Sequence, residues 1–562
     1  QLDAVSLPAY FGNRVLARYY DSLHRPAGFL LSNVGNLGTE ITQTYTYNSL
    51  GRFDHLTSGA AGQATRDFTY GYNSGGLVSS VSVSDAPFAV TREYEPNRDL
   101  LTSMESKWGG GVKTRYEYTY NALGQRTTAK QSGEAYADFG SSTFHRYAYN
   151  SRGEVTEAVD YLGEDVSNAG APGLSGRHHA YSYDKAGNRL TSSRTGFGGT
   201  VDNYTANALN QYDSRENNVA HVAGTAQASA SVTVSGGAVV SLLGRQGRYW
   251  DAQVVLNNTN GPVLANLSIK ATLVGQGTGG VDLVREENRR AFLAKALQSF
   301  TYDADGNLTG DGVWKYFYDG ENRLVAIETD PTVIPLLGTA NARRLEFRYD
   351  YLNRRVEKLV RTGWNGSTYA TVASQRRYLY DGDNIAVELS GDGSVLLRSY
   401  TWALDLAGSL TATGGVGALV QITDHTNGAS YCPTYDGNGN VASLLNTATG
   451  SIAASYEYSP SGELLRCAGS YATSNPFRFS TKFTDDETGL VYYGVRFFSP
   501  SMGRFINRDP IEEAGGLNLY GFCRNDAING VDYRGMEQPT MMEPFIVKES
   551  RFDPTFDLSE AY

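Results

Sequence analysis

Three cysteines, Cys432, Cys467 and Cys523, are all that the 562 residues contain. They are too few and too scattered for a disulfide framework or a zinc site. No apolar run approaches the roughly 18 residues that a membrane-crossing helix requires, so no membrane span is expected. Basic residues are in deficit: 48 Lys and Arg against 59 Asp and Glu leave a net charge of −11. That argues against a nucleic-acid groove, because phosphate binding draws on an excess of Lys and Arg. The seven histidines are dispersed, and only His178 and His179 adjoin. With neither an H-E-x-x-H pair nor a G-x-S-x-G elbow, a metalloprotease or an α/β-hydrolase finds no support. No cofactor and no metal are expected. The chain opens at Gln1 without Met or a charged-then-apolar leader, the form of a fragment or a processed product.

What the chain has in excess is tyrosine and glycine, 39 and 63 residues. Gly falls far short of the third that collagen needs, and the aromatics exclude a disordered chain. The excess is organised. A phrase recurs in which an aromatic and a Tyr two residues apart are followed by Asn or Asp, two residues, and Gly. It reads Tyr45-Thr-Tyr-Asn-Ser-Leu-Gly-Arg-Phe53, Tyr118-Thr-Tyr-Asn-Ala-Leu-Gly-Gln-Arg126 and Tyr316-Phe-Tyr-Asp-Gly-Glu-Asn-Arg-Leu324, with further copies from Tyr147 to Tyr456.

Each phrase predicts a β-hairpin. Residues i and i+2 share a face of a strand, so Tyr45 and Tyr47 lie together. Asn or Asp opens a turn with its own side chain, and Gly supplies the positive φ that closes it. Alternation restarts on the returning strand, which makes the turn a bulged one. One hairpin cannot bury its own apolar face, so the units must stack into a continuous sheet. Tyr suits such a sheet, burying its ring while its hydroxyl reaches water or a polar lumen, and Arg beside the turns can stack on the rings. A propeller is disfavoured because the copies are irregularly spaced.

This phrase resembles the RHS/YD-repeat family, which includes bacterial RHS effectors, the C components of ABC toxin complexes and, distantly, the teneurin shells. The resemblance implies an all-β fold, a hairpin strip spiralling into a hollow cocoon, and covers most of 15–470. Between Ser214 and about Gly280 the phrase is absent. The alternating segments there predict a small inserted antiparallel β domain, Ig-like or jelly-roll-like. Trp250 is either a stacking platform for a surface glycan or part of the core of a spacer. Val284-Arg-Glu-Glu-Asn-Arg-Arg-Ala-Phe-Leu-Ala-Lys-Ala-Leu297 has helical apolar spacing, with acids early and bases late, and predicts one short connecting helix. Gly275-Gln-Gly-Thr-Gly-Gly280 fits G-x-G-x-x-G but lacks the βαβ context and reads as a linker. Asp303-Ala-Asp-Gly-Asn307 and Asp436-Gly-Asn-Gly-Asn440 imitate calcium loops but lack the Gly and Glu that those loops place at positions six and twelve.

From about Asn475 the text changes. Asn475-Pro-Phe-Arg-Phe-Ser-Thr-Lys-Phe483, then Gly489 to Phe505, Arg508-Asp509-Pro510 and Asp532-Tyr-Arg-Gly-Met536 resemble the RHS repeat-associated core module. In proteins with this module the end of the core is an intramolecular aspartic-type protease that severs an enclosed C-terminal region. Carried over by motif, the resemblance implies Asp509 and Asp532 as the catalytic pair, Arg508 as their tuning residue, Gly535 bringing an extended backbone into the site, and Met536–Glu537 as the scissile bond. Two carboxylates forced together do not both ionise readily, which leaves one as acid and one as base. The family writes Asp-Pro where this chain has Asp532-Tyr533, so a fixed φ is lost. The alternative is that both aspartates cap turns.

The expected division is shell over 1–213, inserted β domain and helix over 214–299, shell over 300–474, core module over 475–536 and tail over 537–562. The tail has 26 residues and six acids against Lys548 and Arg551. It lies below the roughly 40 residues at which a domain folds alone, and Met541 to Val547 suits docking on the shell by strand addition. The leading functional reading is a secreted or surface-exposed shell that holds its own tail as cargo and is partnered by an N-terminal region or delivery component. The second is a teneurin-like adhesion or glycan-recognition protein.

Overall fold

The computed structural model describes residues 2–7, 9–33, 38–196, 200–237, 239–536 and 540–541. Among them, thirty-two strands form two antiparallel sheets of 18 and 14. In each sheet every strand pairs with the next one along the strip. The sheets are two halves of a single strip. Residues 297–302 form one extended run whose first part, Leu297–Ser299, pairs with Tyr212–Glu216. Its second part, Thr301–Tyr302, pairs with Leu308–Gly310. The all-β expectation holds.

The hairpin unit is built as its residues dictate. Asn48 Oδ1 accepts the amides of Leu50 and Arg52 at 3.0 and 3.1 Å, and Asp319 and Asp350 do the same in their own turns. Gly51 closes its turn at φ 77°; where the phrase has Asn in that place, Asn322 and Asn353 take φ 58° and 62°. A register shift falls at the second Tyr of each unit, as between Thr46 and Tyr47. Arg25 stacks over Tyr47 at 3.9 Å, and Arg354 over Tyr380 at 5.0 Å.

The hydroxyls do something other than expected. The second Tyr of a unit donates to the backbone carbonyl that starts the return strand of the preceding unit. Tyr72 donates to Phe53 at 2.6 Å, Tyr149 to Arg126 at 2.7 Å, Tyr349 to Leu324 at 2.6 Å and Tyr458 to Val441 at 2.8 Å. A bulge leaves one carbonyl without a ladder partner, and the next Tyr along supplies the donor. The ladder of rings is therefore also a chain of hydrogen bonds from unit to unit.

The strip winds back on itself. Arg14 donates to the Gly393 carbonyl at 2.5 Å, Arg126 to Asn438 at 3.0 Å, and Arg177 pairs with Glu457. Both sheets thus advance in the same sense. The aromatic face of the second sheet is covered by the C-terminal module. Phe497 stacks on Phe347 with ring centres 5.5 Å apart, Phe483 meets Tyr378 edge-on at 5.5 Å, and Phe477 meets Tyr400 at 4.8 Å. The fully buried Arg355 pins this module through Asp485 at 2.6 Å, with Lys358 on the other carboxylate oxygen at 2.7 Å.

The insert consists of two three-stranded antiparallel sheets over 219–293 that share a core of Ala220, Val232, Val254, Leu267 and Trp250. Its ends meet: the Asn217 amide donates to the Ala296 carbonyl at 2.9 Å. One expectation is corrected here, and one alternative is decided. The segment predicted as a helix is the strand Leu283–Leu293, paired residue for residue with Val263–Leu273. A partner strand ten residues away outweighs helical spacing when the segment holds Val, Phe and Asn at modest helix propensity. The described residues contain one α-helix, the single turn Ile334–Leu337. Trp250 is 4% exposed and packs over Gly224, so it is a core residue without a free face for a sugar. The G-x-G-x-x-G stretch lies in the turn of the Val263–Leu293 hairpin. The calcium-like segments are turns whose carboxylates bond their own amides, Asp303 to Asn307 and Asp436 to Asn438 and Asn440. Among the described residues no cluster fit for a metal ion occurs.

Candidate active site

Three short pieces of the C-terminal module bring the expected residues together. Asp509 follows the strand Arg504–Phe505, Asp532 follows Gly530–Val531, and between Leu490–Tyr492 and Phe497–Ser499 stands Arg496. Arg496 is the residue that sequence reasoning missed. Its Nη2 donates to Asp509 Oδ2 at 2.6 Å, its Nη1 to the Leu519 carbonyl at 3.0 Å and its Nε to the Gly535 carbonyl. The guanidinium also lies over the Phe505 ring at 3.8 Å. A single Arg inside Tyr-Tyr-Gly-Val-Arg-Phe-Phe was the available signal, since a cation in so apolar a run needs a carboxylate partner. Arg508, assigned to that role, is exposed and packs beside Gly306.

Asp532 is 1% exposed, and its Oδ1 accepts the Gly535 amide at 2.5 Å. Asp509 Oδ1 accepts the Ile511 amide at 3.1 Å. Both aspartates therefore close turns, and Arg496 pairs directly with Asp509. Gly535 is buried at φ 77°, not extended as expected, because the Asp532 carboxylate draws the chain into a turn. A Cβ there would sit 3.3 Å from Arg496, Phe505 and Tyr493. Tyr533 replaces the family's Pro, and side chains take over the restraint. Its carbonyl accepts Lys482 Nζ at 2.9 Å and its hydroxyl donates to Asp383 at 2.9 Å.

The electrostatics follow from burial. Burial pushes Asp532 up to about 6 against Arg496, the Gly535 amide and Lys482, while Asp509 adds to the rise. Asp509 is also raised by burial, with Arg496 opposing. Burial pulls Lys482 down to about 8 and Arg496 down to about 10. A carboxyl raised to about 6 in the field of a second one can hold a proton in mildly acid conditions and gives it up above them. Asp509, Arg508 and Met536 line one cavity of about 450 Å³. Glu537 lies outside the described residues. Beyond it, Thr540–Met541 pairs antiparallel with Gly530–Val531.

No family model matches the chain. Curated relatives do. The chain is 29% identical to the tRNA3(Ser)-specific nuclease WapA of Bacillus spizizenii over 245 residues, 42% of this chain and 9% of that protein. It is 27% identical to double-stranded DNA deaminase toxin A of Burkholderia cenocepacia over 280 residues, 46% of this chain and 18% of the other. It is 27% identical to the probable deoxyribonuclease RhsB of Dickeya dadantii over 215 residues, 38% and 13% of the two chains. The chain is an RHS/YD-repeat protein. It spans less than a fifth of each of these relatives. Among solved structures, TcdB2-TccC3 aligns over 95% of this RHS chain and 28% of its own, with a TM-score of 0.37 and 15% identity. Among the described residues of the RHS chain, no helix is long and apolar enough to cross a membrane.

Proposed function

We propose that this chain is the shell of a secreted, toxin-type RHS protein that encloses its C-terminal segment and cuts it free once, between Met536 and Glu537. The observation that carries the reading is the shared cavity of Asp509 and Met536, with Arg496 gripping both Asp509 and the Gly535 carbonyl one residue before the bond. In this reading Asp509 takes a proton from a water in the cavity as that water attacks the Met536 carbonyl carbon. Asp532, which burial raises to about 6, in its protonated form hydrogen-bonds the carbonyl oxygen as it becomes an oxyanion. The C–N bond then breaks, the Glu537 nitrogen leaves as an amine with the transferred proton, and Met536 keeps a new carboxylate. No cofactor is needed. The division into shell, insert, core and tail belongs to the same proposal, as does a delivery component or N-terminal region as partner. The relatives' names, nuclease and deaminase toxin, support a role in toxin delivery and an extracellular setting.

Intact-mass measurement of the purified native protein tests it. The expected products end at Met536 and begin at Glu537, remain together on native gel filtration and separate in denaturant. Asp509→Asn and Asp532→Asn each yield a single intact chain. A wild-type chain that stays whole after native refolding would sink the cleavage.

A further inference from the structure

The strand Leu283–Leu293 forms one edge of the insert and is hydrogen-bonded on one side only, to Val263–Leu273. Its first eight residues, Leu283 to Arg290, are all exposed, with Leu283 and Val284 at 53% and 44%. Among the described residues no other backbone group bonds to this strand. Eleven residues of unpaired edge form a template for another strand, and soluble proteins usually blunt such an edge with charges, Pro or a cover. This edge does carry charges, but they are of both signs and so can pair with a suitable partner.

Read from both ends about Asn288, Leu-Val-Arg-Glu-Glu-Asn-Arg-Arg-Ala-Phe-Leu is complementary to itself. Antiparallel to a second copy, Glu287 faces Arg289 and Glu286 faces Arg290, and each pair occurs twice by symmetry. Val284 faces Phe292, and Leu283 faces Leu293. Opposite charges and apolar pairs directly across a ladder are the stabilising kind. The register is specific as well. Both partners must turn outward-pointing amides and carbonyls toward each other, so the neighbouring allowed registers slide Asn288 off the axis to Glu287 or to Arg289. The first sets Glu287 against Glu287 and Arg285 against Arg289. The second sets Arg289 against Arg289. Only the register centred on Asn288 joins unlike charges throughout.

We propose that Leu283–Leu293 is the seam of a homodimer, two copies of this chain pairing edge to edge about Asn288 to fuse their three-stranded sheets into one of six strands. The interface is isologous and closes on itself, so it ends at two copies rather than growing into a fibre. The ion pair that Arg289 makes with Glu287 within one strand is exchanged for the same pair across the axis. The Glu286 carboxylate, now bonded by Ser268 Oγ at 2.7 Å, keeps its second oxygen for Arg290 of the other copy.

Sedimentation velocity on the 562-residue chain reads the outcome directly. The wild type is expected to shift from monomer to dimer with rising concentration. Arg289→Glu with Arg290→Glu weakens association by about tenfold or more, as does Glu286→Arg with Glu287→Arg. Mixing these two variants restores a dimer containing one of each. All four positions are exposed, so unchanged thermal unfolding of both variants accompanies the result. A wild type that stays monomeric at about 100 μM, or a dimer that neither charge reversal weakens, overturns the proposal.

Discussion

Arg496 and Asp509 meet at 2.6 Å with 1% and 6% of their side chains exposed, and the same guanidinium holds the Gly535 carbonyl. Removing one member of a buried pair strands the other. Arg496→Ala is therefore expected to destabilise the chain by about 3–5 kcal/mol and to stop cleavage. Arg496→Lys keeps the charge but loses the fork that serves Asp509, Leu519 and Gly535 together, and should recover less than wild-type stability. Denaturant unfolding of each variant in the uncleaved Asp532→Asn background checks both statements. Wild-type stability for Arg496→Ala would contradict the pairing.

Cleavage should depend on pH with a known sign. Asp532 serves as the acid only while protonated, and burial raises it to about 6. Release is expected to slow by about tenfold per pH unit once the pH rises past 6, as that proton is lost. On the acidic side the rate falls when Asp509, itself raised by burial, takes up its proton. Refolding intact chain from denaturant at a series of pH values and following its disappearance by mass gives the profile. A rate that is level from about pH 5 to 8 would remove Asp532 from the acid's role.

The hydroxyl ladder makes a graded prediction about stability. Tyr380 donates to the Arg355 carbonyl at 2.8 Å with both groups buried. Tyr380→Phe leaves that carbonyl unpaired away from water, a loss of about 1–3 kcal/mol. Tyr47 donates to Pro26 at 2.7 Å, where the bond is exposed. Water replaces the lost donor in Tyr47→Phe, so the change should be under about 0.5 kcal/mol. Denaturant midpoints of the two variants decide between this and a purely hydrophobic role for the rings, in which both changes would be neutral.

The hairpin was legible because everything that makes it lies within nine residues: the side-chain turn of Asn48, the positive φ of Gly51 and the paired rings of Tyr45 and Tyr47. What a hydroxyl bonds was not, since the acceptor belongs to the preceding unit, as Phe53 does for Tyr72. The strand Leu283–Leu293 escaped for a similar reason. Its own spacing is helical, and only pairing with Val263–Leu273 makes it a strand. At the candidate site the motifs point to Asp509, Asp532 and Arg508, whose turns are short and local. The guanidinium that pairs with Asp509 belongs to Arg496, which lies 13 residues upstream and outside those motifs.

At Asn217 and Ala296 the wall opens for the insert and shuts again across a single hydrogen bond of 2.9 Å. The strip keeps its register on either side, with Leu297–Ser299 seated on Tyr212–Glu216 as though nothing intervened. The passenger is also lashed to the masonry beyond the doorway, for Tyr249 packs on Phe139 with ring centres 5.5 Å apart and Arg248 pairs with Asp138 at 3.3 Å. Its far face can drift in sequence, while the face that carries Tyr249 and Arg248 must keep step with the wall.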